Sequence, residues 1–322
     1  MVMFESLLYS PSNPLVMGLV RQFASHAGWW IGCKIGFKRP LVTTMIIHYA
    51  CNLNCRHCSI QGNMELLPPK RKMSYSEMEE EMRGQYRRGA RILYFEGGEP
   101  TMWEDDGKDL GDLIRLGREI GYFNIGYTTN GTNGYHTGSD VISISLDGPR
   151  EVHDAIRSEG VYDRLMEGLE TLDHPAVFAN MVVQRDNLHT VREVAEIVQD
   201  HPAIRGIIYN FITPPPEDVA LTLEEKAAVI HEIQMLKGEG YPILNSKKAL
   251  KLLLEEDFSE KCPHHVSAFV MPDGSHAQGC PMAGTESCRK CGFDAVREYY
   301  LVNRGDPFTI TEMSGMFALT KR

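Results

Sequence analysis

Three cysteines within a stretch of eight residues are the clearest chemical feature of this sequence. Cys51, Cys55 and Cys58 lie in the segment CNLNCRHC, with three residues between the first pair and two between the second. Three thiolates can bind three irons of a 4Fe–4S cluster, and the fourth iron then has no protein ligand. A structural zinc site is the alternative, with His57 as the fourth ligand, but the adjacency of His57 and Cys58 would strain a tetrahedral site. The spacing therefore favours an iron–sulfur cluster with one open iron.

A second group of cysteines lies near the carboxyl end of the chain and consists of Cys262, Cys280, Cys288 and Cys291. Four thiolates would complete a 4Fe–4S cluster that has no open iron. A structural zinc is the serious alternative, because two residues separate the last pair and three histidines lie close in sequence: His264, His265 and His276. We favour iron–sulfur because of the first cysteine group. The remaining cysteine, Cys33, is most simply a buried thiol.

The bulk composition limits the class of protein. The chain has 322 residues, of which 43% are hydrophobic and 24% charged, an ordinary globular balance. Its formal net charge of −10 gives no support to nucleic-acid binding. A secreted disulfide scaffold is shorter and richer in cysteine, whereas these cysteines are bunched in the way that metal or cluster ligands are. We therefore expect a cytoplasmic protein in a reducing compartment.

Short apolar runs alternate with helical patterns along most of the chain. Six runs have the continuous apolar character of parallel strands buried on both faces, at about 41–50, 91–97, 123–130, 141–147, 176–184 and 206–213. Helices are predicted at 74–89, 109–120, 161–172, 188–199, 222–238 and 246–256. Capping boxes, Ser74 with Glu77 and Thr222 with Glu225, open two of them. This alternation indicates parallel βαβ units, although the link 131–140 is too short for a crossover helix.

Over about residues 40–215 the sequence resembles the radical S-adenosylmethionine (SAM) superfamily. The three-cysteine loop follows the first strand, and Gly97, Gly98 and Glu99 precede Pro100 at the end of the second strand, as in the superfamily. The resemblance implies that the open iron binds SAM, that the Gly-Gly-Glu-Pro turn contacts the SAM amino group, and that SAM is cleaved reductively to a 5′-deoxyadenosyl radical. Glycines permit close backbone approach, and carbonyl or carboxylate oxygens accept hydrogen bonds from an ammonium group.

Further positions match the superfamily and are expected to contact SAM. Ser145 lies in the segment SISLDG, where the superfamily's second serine contacts the SAM ribose or carboxylate, and Arg157 matches an arginine that pairs with the carboxylate. Asn130, Asn180 and Val182 match positions at strand ends, the last two near the adenosine, although Asn130 and Asn180 fit equally well as hydrogen-bonded strand-end residues.

The implied fold is α/β, a partial, TIM-like barrel of six βα units with ligands at the carboxyl ends of the strands. No residue is assigned as the radical-quenching or other catalytic group.

The carboxyl-terminal cysteines resemble the auxiliary-cluster extensions of radical SAM enzymes, of the SPASM and twitch type. The turn Met271-Pro272-Asp273-Gly274 precedes the second of these cysteines, as a similar turn does in those extensions. The number of cysteines allows at most one further cluster.

We expect three segments: an amphipathic helical segment over 1–40, a radical SAM partial barrel over 41–240 and a cysteine-rich extension over 241–322.

Residues 14–37 are apolar, but Arg21 and Lys34 interrupt them, which disfavours a membrane span. Their spacing predicts an amphipathic helix. One interpretation is a helix on a membrane surface, with Trp29 and Trp30 at the headgroups, in a cytoplasmic protein with peripheral membrane contact. The other is a helix packed against the core of its own domain.

The substrate class stays open at this level. The layout resembles adenosylhopane synthase-type radical SAM enzymes, which combine a basic amphipathic amino-terminal helix with a cysteine-bearing tail, and this implies an apolar, isoprenoid lipid substrate. The alternatives are a maturase of a ribosomally made peptide or protein and a radical enzyme of small-molecule cofactor biosynthesis. The resemblance also implies a reducing protein, such as ferredoxin or flavodoxin, as electron donor.

Overall fold

The structure is a computed structural model that describes residues 26–60, 64–65, 67–213 and 216–319. Its strands, in chain order, are β1 (Val42–Ile46), β2 (Ile92–Glu96), β3 (Glu104–Asp105), β4 (Lys108–Asp109), β5 (Asn124–Thr129), β6 (Val141–Ser145), β7 (Val177–Val183), β8 (Ile204–Phe211), β9 (Ser267–Val270) and β10 (His276–Gln278). The six predicted runs correspond to β1, β2, β5, β6, β7 and β8, so each of them is confirmed. The strands β9 and β10 were not predicted, because neither is long or apolar enough to stand out in the sequence.

Eight strands form one sheet in the order β10-β9-β1-β2-β5-β6-β7-β8, and β3 pairs only with β4. Every neighbouring pair in the large sheet is parallel except β9 with β10. Within the described residues no strand pairing joins β8 to β10, so the sheet stays open. The predicted α/β partial barrel is therefore confirmed, with two extra strands at one edge.

The helices, in chain order, are α1 (26–34), α2 (Tyr75–Arg88), α3 (Leu110–Ile120), α4 (Arg150–Arg157), α5 (Val161–Glu170), α6 (Val191–Asp200), α7 (Leu223–Glu239), α8 (Lys247–Leu252), α9 (Glu286–Arg289), α10 (Asp294–Arg304) and α11 (Pro307–Leu319). Both predicted capping boxes are present, at the starts of α2 and α7. The helix predicted at 246–256 is shorter than expected and ends at Leu252. The link 131–140 contains no helix, as predicted.

The two faces of the sheet differ in chemistry. Side chains alternate between faces along a strand, and Met45, Phe95 and Tyr127 point to the face where the helices build the main apolar core. We call the opposite side the inner face. It carries Thr44, Tyr94, Glu96, Thr128, Ser143, Ser145, Asn180 and Asn210, several of them only half-buried. A filled barrel would have apolar layers there. The inner face is therefore accessible and polar at the level of these residues.

Helix α1 closes the amino-terminal end of this face. Trp29 is 3% exposed and packs with Leu41, Ile92 and Val266, and its indole N–H donates to the Arg39 carbonyl over 2.8 Å. The Trp30 indole N–H donates to the Val302 carbonyl over 3.2 Å. The interpretation that places Trp29 among lipid headgroups is wrong, because the helix buries that indole in its own domain. Residues 14–25 of the predicted amphipathic segment lie outside the described residues.

Three apolar side chains near α1 remain in solvent. Ile31, Ile35 and Phe37 are 53%, 67% and 70% exposed. No helix among the described residues is both long and apolar enough to cross a bilayer.

The carboxyl-terminal segment joins both edges of the sheet. At one edge β9 pairs in parallel with β1, with Val42 opposite Ser267. At the other edge the Phe211 amide of β8 donates to the Gly292 carbonyl over 2.9 Å. The predicted division of the chain at residue 240 stays a prediction, while the sheet itself continues across it.

Candidate active site

The three-cysteine loop leaves the carboxyl end of β1 and is fixed to neighbouring loops through Arg56. The Arg56 amide donates to the Ile156 carbonyl over 3.1 Å, and its guanidinium pairs with Asp186 at 2.7 Å and Asp218 at 2.5 Å. Within the loop the Cys58 amide donates to the Cys55 carbonyl over 3.1 Å. These contacts hold the loop over the carboxyl edge of the sheet.

The thiols of this loop are close enough to influence one another. Burial, opposed by the charge of Arg157 and reinforced by the neighbouring Cys58 and Cys51, raises the pKa of Cys55 to about 11. Burial likewise raises the pKa of Cys51. Iron binding has to displace these protons, since the thiolate is the ligand. Within the described chain no three His, Cys, Asp or Glu side chains converge on one position for a single metal ion; in a 4Fe–4S cluster each thiolate binds a different iron, so such convergence is not needed.

The Gly-Gly-Glu-Pro turn packs directly on the segment that leads into the cysteine loop. The Gly98 amide donates to the His48 carbonyl, and the Glu99 amide donates to the Ala50 carbonyl, each over 2.9 Å. A Cβ atom on Gly98 would lie 1.9 Å from the Ala50 carbonyl oxygen, and one on Gly97, whose φ is +148°, would lie 2.3 Å from the His48 carbonyl oxygen. Both glycines are therefore required by this backbone contact, a reason that the sequence did not reveal.

Glu99 uses its carboxylate inside the protein. The side chain is 1% exposed, and Oε1 accepts from the Thr101 amide (3.1 Å), the Thr101 hydroxyl (2.8 Å) and the Thr129 hydroxyl (2.8 Å). Its Oε2 accepts from the Asn130 amide over 2.7 Å. Glu99 thus ties the turn to the end of β5, which makes it a positioning residue. Its predicted contact with the SAM amino group stays a prediction.

Asn130 connects the end of β5 to the cysteine loop. Its side-chain amide donates to Asn52 Oδ1 over 2.8 Å and lies 3.9 Å from Cys51 Sγ. Its Oδ1 accepts from the Thr132 amide over 2.9 Å. Asn130 is therefore a hydrogen-bonded strand-end residue beside a cysteine, and its contact with SAM stays a prediction.

A buried ion pair lies under the cysteine loop. Arg157 Nε donates to Asp147 Oδ2 over 2.6 Å, and Arg157 Nη1 lies 4.0 Å from Cys55 Sγ. Asp147 is fully buried, and its Oδ1 accepts from the Val182 amide over 2.9 Å. Arg157 was predicted from the sequence as a SAM contact, whereas Asp147 was not. The sequence feature that could have identified Asp147 is its position in the segment SISLDG, two residues after Ser145.

The charges of this pair are stable near neutral pH. Burial alone would raise the pKa of Asp147, but Arg157, together with His57 and His153, holds that pKa below its ordinary value. Burial would lower the pKa of Arg157, yet Asp147 and Cys55 raise it above its ordinary value. Burial lowers the pKa of His57, and of His153 to about 4, so both imidazoles are neutral. The loop therefore rests on one fixed carboxylate and one fixed guanidinium.

Ser145, Asn180 and Val182 lie at the same carboxyl edge. Ser145 and Asn180 are opposite each other in the pairing of β6 with β7. Asn180 Oδ1 accepts from the Asn210 side-chain amide over 2.9 Å, and Asn210 Oδ1 accepts from the Asp294 amide over 2.9 Å. The structure thus brings all predicted SAM-binding positions to one edge of the sheet, and their contacts with SAM stay predictions.

The second cysteine group lies between the start of β9 and the end of β8: the Gly279 amide, next to Cys280, donates to the Ser267 carbonyl over 2.8 Å. Burial, together with Cys291, Cys280 and Cys288, raises the pKa of Cys262 to about 12, so these thiols are close enough to influence it. Cys291 precedes Gly292, where a Cβ atom would lie 1.9 Å from the Phe211 carbonyl oxygen at the end of β8. Arg297, 1% exposed, places Nη1 3.3 Å from Cys291 Sγ.

Two of the histidines that offered alternative zinc ligands have other partners. His276 Nε2 lies 2.8 Å from Glu81 Oε2, and its Nδ1 lies 2.9 Å from an Arg88 nitrogen. His265 stacks on Trp29 with the ring centroids 6.1 Å apart. The orientation of each of these two imidazoles is set by these partners and not by the cysteine group.

The sheet is open and mostly parallel, and its carboxyl edge carries a cysteine loop, a glycine turn and a buried arginine. This arrangement is typical of α/β proteins that bind their ligand at the ends of the strands. Residues 45–198, just under half of the chain, match the profile of the Radical SAM superfamily.

Similar proteins support that classification. The chain is 24% identical over 225 residues to Fe-coproporphyrin III synthase of Methanosarcina barkeri, which covers 64% of this chain and 54% of that protein. It is 34% identical over 161 residues to a probable GTP 3′,8-cyclase of Pyrococcus abyssi, covering 46% and 50% of the two chains. The solved structure of anSMEcpe with bound AdoMet superposes with a TM-score of 0.59 at 16% identity over 85% of this chain and 84% of that one. The chain spans about half the length of these two curated relatives, and the solved structure shows the fold alone.

Proposed function

We propose that this protein is a radical SAM enzyme that binds a 4Fe–4S cluster on Cys51, Cys55 and Cys58 and cleaves SAM reductively. The observation that carries the proposal is the contact of the Gly-Gly-Glu-Pro turn with the segment just before the three-cysteine loop, made through two backbone hydrogen bonds. It supports the proposal because the two motifs expected to hold the cofactor are adjacent in the fold. A reducing protein such as ferredoxin or flavodoxin would supply the electron.

The residues present suit a cluster and SAM. Three thiols share one loop, and the Arg157 cation lies beside Cys55, where it favours an anionic cluster. In the same loop His57 Nδ1 is buried and has no hydrogen-bond partner among the described residues. A buried polar atom without a partner indicates a group that the folded chain alone does not supply.

The chain's own residues would bind and orient SAM. When bound, the cluster supplies the electron that splits the carbon–sulfur bond of SAM. Arg157 keeps one edge of its guanidinium for a carboxylate, because Asp147 engages only its Nε in a direct hydrogen bond. Asp147 is a positioning residue that fixes Arg157, and Ser145, Asn180 and Val182 border the space beside it. The four carboxyl-terminal cysteines would bind an auxiliary 4Fe–4S cluster.

For the substrate we propose only a chemical class. The isoprenoid lipid that the amino-terminal segment implied has one supporting observation, the exposed Ile31, Ile35 and Phe37. The polar inner face instead suits a polar substrate, as the cofactor-biosynthesis or peptide alternatives would provide. We favour a polar substrate, because the inner face, and not α1, lies next to the SAM site.

Comparison of two cysteine variants tests the proposal. We expect anaerobically reconstituted Cys51→Ala protein to lose one cluster and all formation of 5′-deoxyadenosine from SAM. Cys33→Ala is the matched control, because Cys33 lies in the α1 cluster and outside both cysteine groups. Full SAM cleavage by Cys51→Ala, or equal loss in both variants, would contradict the assignment.

A further inference from the structure

A group of hydroxyls lies on three neighbouring strands of the inner face. The Tyr94 ring extends across β5, where a Cβ atom on Gly126 would lie 2.6 Å from a ring carbon of Tyr94. The hydroxyl of Tyr94 donates to the Tyr127 carbonyl over 3.4 Å, and Thr128 on β5 and Ser143 on β6 lie close enough to it to lower its pKa. Only a residue without a side chain at position 126 permits this arrangement. Tyr94, Thr128 and Ser143 therefore form one oxygen-rich floor.

Glu96 lies directly beside this floor. It is the last residue of β2, and the register that pairs Phe95 with Tyr127 puts Thr128 next to it on β5. The following residue, Gly97, opens the turn that contacts the cysteine loop. Glu96 therefore directly precedes, in sequence, the turn that belongs to the proposed SAM site.

The Glu96 carboxyl group has no counter-charge in the described part of the chain. No hydrogen bond or ion pair is formed by its oxygens there, and desolvation alone raises its pKa to about 7. A half-buried carboxylate without a cation costs free energy that a protein does not normally retain outside functional sites. A ligand that carries a positive charge would stabilise the ionised form, whereas a neutral ligand would not.

The inner face offers the access that such a ligand needs. Its amino-terminal end is closed by Trp29 and its apolar neighbours. Toward the carboxyl end, Glu96, Thr128, Asn180 and Asn210 are only half-buried. A ligand on the floor would therefore lie between the closed end and the proposed SAM site, which is where a SAM-derived radical would meet its target.

We propose that Glu96, with the hydroxyls of Tyr94, Thr128 and Ser143, binds a cationic nitrogen of the substrate, an ammonium or guanidinium group. This inference rests on the proposed radical SAM function and specifies the substrate class at the same site. The oxygen-rich floor accepts hydrogen bonds from the nitrogen, and the carboxylate supplies the opposite charge.

The test uses fractions of an extract from the source organism as probes and 5′-deoxyadenosine formation as the readout. At neutral pH the extract is separated into a fraction that a cation-exchange resin retains, a fraction that it does not retain, and an organic phase that holds lipids. We expect the retained fraction to stimulate the wild-type enzyme. We expect Glu96→Gln to need at least about tenfold more of it for half-maximal stimulation, since a hydrogen bond to a charged group is lost.

Two controls accompany the test. Glu96→Asp keeps the charge and should respond better than Glu96→Gln, whereas Glu119→Gln removes a charge from an exposed position on α3 and should behave as wild type. SAM cleavage without added fraction should be the same in Glu119→Gln as in wild type.

Several outcomes would overturn the assignment. Stimulation only by the organic phase or the unretained fraction, stimulation by no fraction, or an equal response of wild type and Glu96→Gln would each do so. Reduced basal SAM cleavage in Glu96→Gln would do so as well, because Glu96 would then serve the SAM amino group. Failure of the proposed function is a different result: the wild type itself would form no 5′-deoxyadenosine in a Cys51-dependent manner.

A stability measurement checks the same carboxyl group without substrate. Because its folded pKa is raised to about 7, the folded protein loses stability as pH rises toward that value, since the acid ionises first in the unfolded chain. Glu96→Gln cannot ionise. We therefore expect its Tm, relative to wild type, to increase between about pH 5 and about pH 7. A difference in Tm that is independent of pH would show that Glu96 has a counter-charge, and would overturn the proposal.

Discussion

At the scale of single residues, the ion pair of Asp147 with Arg157 combines two functions in one contact. Arg157 lies between a carboxylate and Cys55, so it can balance negative charge on either side. Asp147 also receives the Val182 amide, which links the pair to β7. Because both side chains are buried, the charge of each depends on the other.

Asp147→Asn should lower the free energy of unfolding by about 3 kcal/mol, because the Arg157 charge would remain buried without its partner. The variant should also bind SAM more weakly, since Arg157 would no longer be fixed. Anaerobic urea unfolding and SAM titration measure the two effects. Asp163→Asn is the control, because it breaks the exposed pair with Arg150, which is worth about 0–1 kcal/mol. Equal effects of the two variants would show that the buried pair has no special role.

The cysteines, the glycine turn and Arg157 were predictable from residue types and spacing, since a motif preserves chemistry along the chain. The role of Glu99 was not. Its partners Thr129 and Asn130 lie on another strand, and the sequence does not say which side chains meet across strands. Glu96 gave no signal either, because its lack of a counter-charge is a property of the folded inner face.

At the scale of elements, the turn after β2 and the loop after β1 act as one unit. Gly98 and Glu99 bind the backbone of His48 and Ala50, so the turn fixes the path of the chain just before Cys51. This explains why two glycines stand at a position where the sequence had suggested only contact with a cofactor.

Gly98→Ala should disrupt this unit, because its Cβ would lie 1.9 Å from the Ala50 carbonyl oxygen and the backbone must shift. We expect a loss of about 1–3 kcal/mol in stability and fewer irons bound per chain after reconstitution. Iron analysis and thermal unfolding are the measurements. Gly238→Ala serves as the control, since a Cβ there meets no atom within 4 Å. Retention of iron and stability by Gly98→Ala would mean that the contact is adaptable.

Helix α10 supplies the second cysteine group with a cation. Arg297 forms no ion pair with a carboxylate in the described part of the chain, and its Nη1 lies 3.3 Å from Cys291 Sγ. Arg297→Gln should shift the reduction potential of the auxiliary cluster to more negative values, because a nearby positive charge favours the reduced, more anionic cluster.

This shift can be measured by redox titration in a background that lacks Cys51, Cys55 and Cys58. Arg304→Gln, at an exposed position on the same helix, should leave the potential unchanged. An unchanged potential in Arg297→Gln would contradict the tuning role. Zinc in place of iron would return the site to the alternative that the sequence left open.

At the scale of the whole molecule, the two cysteine groups share a connection. Residues 217 and 218 lie between them: Asp218 pairs with Arg56, next to Cys55, and Glu217 pairs with Lys290, next to Cys291. The strand order was predictable because each βα unit is local in sequence. The addition of β9 beside β1 was not, since a short parallel strand pairs with a partner more than two hundred residues away.

The path of the carboxyl-terminal segment has a consequence for chain entropy. This segment contacts β1 through β9 and β8 through Gly292, and Cys280 and Cys288 lie on the stretch between these two contacts. A metal group bound by Cys262, Cys280, Cys288 and Cys291 is therefore a cross-link that holds the two edges of an open sheet at a fixed separation. Like a disulfide that closes a long loop, it restricts the unfolded chain far more than the folded one. The width of the inner face would then depend on this metal group, which is present only when the four cysteines have bound it.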